Sequence, residues 1–101
     1  MTLPLHFTPE ALDEYSDAID WYEDQQRGLG KTFRFRVREC LMKIQANPRL
    51  YGTIEYNARS VKVPRHSYKI IYTILPDSIT IQAIFHTSRD PKVWRRRVKK
   101  K

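Results

Sequence analysis

The hydrophobic period of this 101-residue chain restricts the fold more than any single motif. Between Thr8 and Asn47-Pro48 the apolar residues recur at helical spacing; before and after that stretch they alternate. In the helical stretch Ala11, Leu12, Tyr15, Ala18, Ile19 and Tyr22 fall within about 60° of one direction, as in a helix with one buried face. Thr8-Pro9-Glu10 supplies its start: a hydroxyl for the orphan amides, a proline where no N–H is needed, and an acid at the positive dipole end. The helix should end near Gln26, because Arg27-Gly28-Leu29-Gly30 carries the glycines of a tight interhelical turn. A second helix is expected from Lys31 to Ala46, with Phe33, Val37, Cys40, Leu41 and Ile44 inward. Asn47-Pro48 stops it, since a residue before proline avoids the α region.

The remaining segments read as strands. Leu3, Leu5 and Phe7 alternate with Pro4 and His6 in a short first strand. After a loop over 47–57 come Arg59–Val63, Ser67–Leu75 and Ser78–His86, the last two joined by the turn Leu75-Pro76-Asp77-Ser78. Alternation directs Val61, Val63, Tyr68, Ile70, Tyr72, Ile74, Ile79, Ile81, Ala83 and Phe85 toward the helices. It sends Ser60, Lys62, Lys69, Thr73, Thr80, Gln82 and His86 to the other, open face. Asp90-Pro91 can start a short last helix carrying Trp94. The order β-α-α-β-β-β, with a helical hairpin over one face of a small antiparallel sheet, predicts an α+β fold. No repeat or linker divides the chain, so residues 1–101 should form one domain, with 95–101 as a solvated basic tail.

Charge is divided as sharply as the pattern. Residues 1–26 hold seven acids and no Lys or Arg, whereas residues 27–101 hold all 19 bases and four acids, a balance of +15. A basic surface of this size implies a polyanionic partner without naming one. Other classes are excluded. No apolar run approaches the roughly 18 residues of a membrane span, and the N-terminus lacks a basic-then-apolar leader, so a soluble cytoplasmic domain is expected. A single cysteine, Cys40, rules out an internal disulfide and a cysteine-based zinc site, and no histidine pair has metal-ligand spacing. With no glycine-rich phosphate loop after a strand, neither a metal nor another cofactor is expected.

The sharpest chemical signal is the open sheet face. In a meander Lys62, Lys69 and His86 project from one side, and Arg89 leaves the strand end beside them. RNA cleavage by its own 2′-OH needs a base, an acid and cations around the phosphate. His86 could supply the proton transfer and Arg89, Lys62 and Lys69 the cations. A solvated basic surface would show the same spacing. His6 and His66 are expected to be exposed, and the acids of the first helix to be its solvated face. Trp21, Phe35 and Met42 lie out of phase with the buried stripes; they are either simply exposed or a face for a partner.

Element order and local motifs together resemble the RelE/ParE superfamily of bacterial toxins from type II toxin–antitoxin modules. The motifs are Ala18-Ile19-Asp20-Trp21-Tyr22-Glu23, Gly28-Leu29-Gly30, Ile44-x-x-Asn47-Pro48, Arg59, Tyr68-Lys69-Ile70-Ile71-Tyr72 and His86-x-x-Arg89-Asp90-Pro91. The resemblance implies a toxin neutralised by a cognate antitoxin in a hetero-oligomer, with Trp21, Phe35 and Met42 as anchors for an amphipathic antitoxin segment. RelE-like members cleave mRNA on the ribosome; ParE-like members poison DNA gyrase and need no catalytic centre. Lys62, Lys69 and Arg89 match the basic positions of the first branch, but Ser60 stands where a lysine is frequent, and the indole of Trp94 cannot transfer a proton. The Gly-Leu-Gly turn and the His-x-x-Arg-Asp-Pro ending favour the ParE-like branch. On that reading Arg59, Lys62, Arg65, Lys69, Arg89, Arg95, Arg96 and Arg97 engage gyrase or its DNA. A plain nucleic-acid-binding module would explain the charge but not the motifs, and no recognition helix or aromatic platform is evident.

Overall fold

The computed structural model describes residues 2–98. Along the chain run β1 (Leu5–Phe7), α1 (Pro9–Gln25), α2 (Leu29–Ala46), β2 (Arg59–Lys62), β3 (Tyr68–Ile74), β4 (Ile79–His86) and α3 (Lys92–Val98). The sheet order is β1-β4-β3-β2, with β1 parallel to β4 and the other pairs antiparallel. The expected order of elements is therefore present. The tail is not: Arg95–Val98 are helical, and Lys99-Lys100-Lys101 lie outside the described residues.

The helix starts follow from local chemistry. Thr8 Oγ1 accepts the Ala11 N–H at 3.1 Å, and Pro9 opens α1. The Gly28-Leu29-Gly30 turn uses each glycine differently. Gly28 has φ 93°, left-handed backbone that other residues adopt at a cost. At Gly30 a Cβ would stand 2.8 Å from the Ile19 carbonyl oxygen, so only hydrogen lets α2 approach α1 this closely. The Glu23 carboxylate accepts the N–H groups of Gly28 and Gly30 at 3.0–3.1 Å, satisfying orphan donors at the start of α2. Glu23 is thus a cap as well as part of the exposed face of α1.

Between helices and sheet lies a core of Ala11, Ala18, Phe33, Val37, Cys40, Ile44, Val63, Ile70, Tyr72, Ile79, Ile81 and Ile84. Leu12, placed by periodicity among the buried residues, is 54 % exposed. The inward arc of α1 is rotated toward Glu14, which the structure turns in, and away from Leu12.

The sheet departs from simple alternation at one place. Ile71 pairs with Ala83 but Tyr72 pairs with Ile81, so Gln82 is an extra residue in β4. Such a bulge reverses the parity of everything after it. Ala83 and Phe85, expected to face the helices, lie instead with Ala58, Ile71, Trp94 and Val98 in a second core. Ile84 takes the helix side. The supposedly open face is in part covered by α3, and Thr73, expected outward, is only 2 % exposed.

Candidate functional site

The bulge decides which chemical groups meet. His86 ends β4 opposite Tyr68, and the two rings stand edge to face with centroids 5.0 Å apart. They join Trp21, Tyr22, Ser67, Ser88 and Arg89 around a cleft of about 500 Å³ on the helix side of the sheet. Tyr68 continues inward to Phe33, centroids 5.2 Å apart, and Tyr22 packs on Phe33 at 4.9 Å, so aromatic rings form the floor. His86 Nδ1 accepts the Ser88 N–H at 3.1 Å and lies 2.7 Å from Ser88 Oγ. Accepting from that amide leaves its proton on Nε2.

The phenols are held neutral. Burial pushes the Tyr68 pKa up, more than the neighbouring Arg89 lowers it, with Asp17 adding to the rise. Burial likewise raises Tyr22, assisted by Tyr68. At neutral pH both can donate hydrogen bonds but neither is a base. Arg89 is the cation of the cleft: its guanidinium lies 5.7 Å from the Phe85 centroid and 3.5 Å from Glu14 Oε2, with the side chain 47 % exposed. It is thus available to an anion.

Glu14 shapes the back of this site. One oxygen accepts the N–H of Ile84 at 3.1 Å, just past the bulge, where β4 has no β1 partner. Arg97 binds both Glu14 oxygens at 3.0 and 2.8 Å and also takes the Gln82 carbonyl at 2.9 Å. The Glu14 and Arg97 side chains are only 13 % and 18 % exposed. This pair ties α1, the bulge and α3 together.

The other anticipated residues are dispersed. Lys69 pairs with Phe85 and with Lys62 on the face opposite the cleft. The Lys62 ammonium donates to the His66 carbonyl at 2.8 Å. His86 and Arg89 therefore come together, but away from Lys62 and Lys69, contrary to the common face that alternation predicted. Arg59 donates to the carbonyls of Arg49 and Tyr51, Arg95 pairs with Glu55 at 2.9 Å, and Arg97 is committed to Glu14. Arg65 and Arg96 are exposed. Trp21, Phe35 and Met42 are 55–61 % exposed, but not as one patch. Trp21 lines the cleft, Phe35 sits among Lys31, Arg34 and Arg38, and Met42 lies two turns beyond Phe35 on the same side of α2. His66, expected in solvent, is half-buried edge-on against Tyr22 and Phe33, with centroids 4.9 and 5.0 Å away.

Sequence reasoning missed Glu14 and Ser88, and treated Tyr68 as core only. A signal for the bulge does exist: Ala83-Ile84-Phe85 are three apolar residues in a row, which alternation cannot keep on one face. Nothing comparable marks Glu14 among seven acids. Among the described residues no group of three or more His, Cys, Asp or Glu could hold a metal ion, and no helix is long and apolar enough to cross a membrane.

The same architecture recurs in solved toxin structures. A chain of the chromosomal ParDE toxin–antitoxin system from P. aeruginosa superposes with a TM-score of 0.75 at 14 % identity, covering 86 % of this chain and 98 % of that one. A free-state mutant of the E. coli toxin RelE gives 0.74 at 18 % identity, covering 98 % and 97 %. YoeB from Staphylococcus aureus, solved as a dimer, gives 0.60 at 22 %, covering 84 % and 97 %. These likenesses establish the RelE/ParE toxin fold. Residues 5–91 match the family model described as the ParE toxin of type II toxin–antitoxin system, parDE, and the chain belongs to that family. No curated protein matches it in sequence.

Proposed function

We propose that this type II toxin acts in the cytoplasm as a stoichiometric poison of DNA gyrase, ParE-like rather than RNA-cleaving, and that a cognate antitoxin neutralises it. The observation that carries the choice is the separation of His86 from Lys62 and Lys69 by the sheet. Phosphoryl transfer from a 2′-OH needs acid, base and cations converging on one phosphate. Here the two lysines look the other way, and the Lys62 ammonium is held by a backbone carbonyl. His86, Arg89 and the exposed cations Arg65 and Arg96 remain able to contact a polyanion without performing chemistry on it. The match of residues 5–91 to the ParE family model supports the same branch.

Solved relatives include an intact E. coli RelBE toxin–antitoxin complex, which supports an antitoxin partner here. Phe35 and Met42 on the outer side of α2, and Trp21 at the cleft, are the anchors assigned to it. An antitoxin whose affinity is unchanged by Phe35→Asp with Met42→Asp would remove those two from the assignment.

The test of the target uses purified toxin with purified gyrase. Supercoiling should be inhibited with accumulation of cleaved DNA. Translation-dependent mRNA cleavage, abolished by His86→Ala or Arg89→Ala, would replace this reading with the ribosomal one. Absence of toxicity on induction, together with tight salt-dependent DNA binding, would point to a nucleic-acid-binding module instead.

A further inference from the structure

The two helices of the hairpin carry opposite charge on the side turned away from the sheet. At 100° per residue, Asp13, Asp20 and Asp24 of α1 lie within about 40° of one direction, opposite the buried Ala11 and Ala18. Lys31, Arg38 and Met42 hold the corresponding stripe of α2, opposite Phe33, Val37, Cys40 and Ile44, with Phe35 on its flank. All these stripe residues are exposed. Lys31, Arg34, Phe35 and Arg38 line one pocket with Tyr15 of α1, and no acid shares it. Glu39, the acid of α2, stands about a quarter turn from the α2 stripe, and α1 has no Lys or Arg.

The two stripes do not neutralise each other within the chain. Ion pairs among the described residues join Arg89 and Arg97 to Glu14, and Arg95 to Glu55; none includes a stripe residue. Yet the stripes match in height. Glu23 accepts the Gly30 N–H, which fixes the antiparallel register of the hairpin. Counted from that contact, Asp24 stands level with Leu29 and Asp13 with Cys40. Each is two residues, about 3 Å of axial rise, from a cation of the other stripe, Lys31 and Arg38 respectively. Asp20 falls in height between Lys31 and Arg34.

We infer that the outer face of this hairpin docks on the same face of a second copy of the chain, about a two-fold axis parallel to the helices. Such an axis keeps every residue at its own height and sets α1 of each copy over α2 of the other, so the interface is isologous and closes at two. Asp13 and Asp24 of the second copy then meet Arg38 and Lys31, and Asp20 meets Lys31 and Arg34, twice over by symmetry. Phe35 and Met42, 59 and 61 % exposed, form the apolar part of the contact. An acidic segment would answer α2 but not the acids beside it, and those acids would repel nucleic acid. A second copy answers both stripes. Helices of 17 and 18 residues, packed about 10 Å apart, offer an outer face of about 500 Å² per copy. The total of about 1,000 Å² is at the low end for specific association, so the dimer should be reversible. It belongs to the free toxin, because Phe35 and Met42 are also assigned to the antitoxin, and it does not depend on the toxin's target.

The experiment is analytical ultracentrifugation of the full-length toxin without antitoxin, from about 1 to 300 μM, with circular dichroism and melting temperature as controls on folding. The parent should pass from monomer to dimer with a Kd of about 10–100 μM. Lys31→Glu with Arg38→Glu makes both stripes acidic, and Asp13→Lys with Asp24→Lys makes both basic; each double variant should self-associate about 10-fold or more weakly. Mixed together, the two variants should form a one-to-one dimer about as tight as the parent's, a rescue that damage to the fold would not produce. A parent monomeric at about 300 μM, variants that dimerise as the parent does, or a mixture that stays monomeric would each overturn the dimer. A monomeric parent whose affinity for DNA or antitoxin falls in Lys31→Glu with Arg38→Glu would overturn it too, and give the basic stripe to that partner.

Discussion

Before Gln82, β4 runs between β1 and β3 and sends Ile79 and Ile81 to the helices. After it, the strand has lost β1, is held at its free edge by Glu14, and sends Ala83 and Phe85 to the opposite side. The first half is built by the backbone ladder and by alternation, and serves the core. The second half keeps its ladder with β3 but has the Glu14 carboxylate where β1 would be, and it carries both the second core and His86 of the cleft. One residue of register thus separates a scaffold from a site, and the same residue separates His86 from the two lysines it seemed to accompany.

Removing that residue is the most severe test of the comparison. Deleting Gln82 should turn Ile84 out of the helix-side core and force Ala83 and Phe85 into it, costing about 4 kcal/mol or more. Urea denaturation that places the deletion variant within about 1 kcal/mol of the parent would show that the two halves are not distinct. Glu14→Gln comes next. It leaves Arg97 without its partner charge in a largely buried position and should cost about 2–4 kcal/mol. Hydrogen exchange should then rise at Ile84 and along α3 but little at Ile79 or Ile81. Uniform loosening of β4 would break the proposed division of labour.

Gly30→Ala probes the scaffold instead. With the new Cβ 2.8 Å from the Ile19 carbonyl oxygen, the helices must part, at roughly 1–3 kcal/mol. The cleft should lose little of its shape, and unchanged stability would mean the helical hairpin is less tightly joined than its geometry states. The smallest effect concerns pH. Burial first, then Arg36 and Lys62, lower the His66 pKa below its ordinary value near 6.5. Below that value the unfolded chain binds the proton more readily than the folded one. The stabilising difference is therefore full above about pH 6.5 and is lost as the pH falls from there through the folded pKa. His66→Gln should flatten this part of the melting temperature profile between about pH 7 and pH 5, and an unaltered slope would assign it to another group.

Much of the scaffold was legible in the residues, and the reason is local. Thr8-Pro9-Glu10 and Asn47-Pro48 mark helix ends through short-range sterics and hydrogen bonding. The 3.6-residue and two-residue periods mark the elements themselves. His86 and Arg89 were recognised as neighbours because only three residues separate their numbers. Lys62 and Lys69 were placed with them by alternation, which holds only while a strand stays in register.

What sequence alone determined, then, is the order and kind of the elements, the acidic first helix beside a basic remainder, and the family resemblance of the motifs. Only tertiary structure decided which acid of seven would turn inward, that α3 would cover a face thought open, and that Tyr68 and Trp21 would wall a cleft with His86. Those outcomes depend on contacts between residues up to 83 positions apart, such as Arg97 with Glu14. A local pattern carries no record of such a partner, because the carboxylate that holds a bulge and the carboxylate that faces water are the same residue type on the same helix.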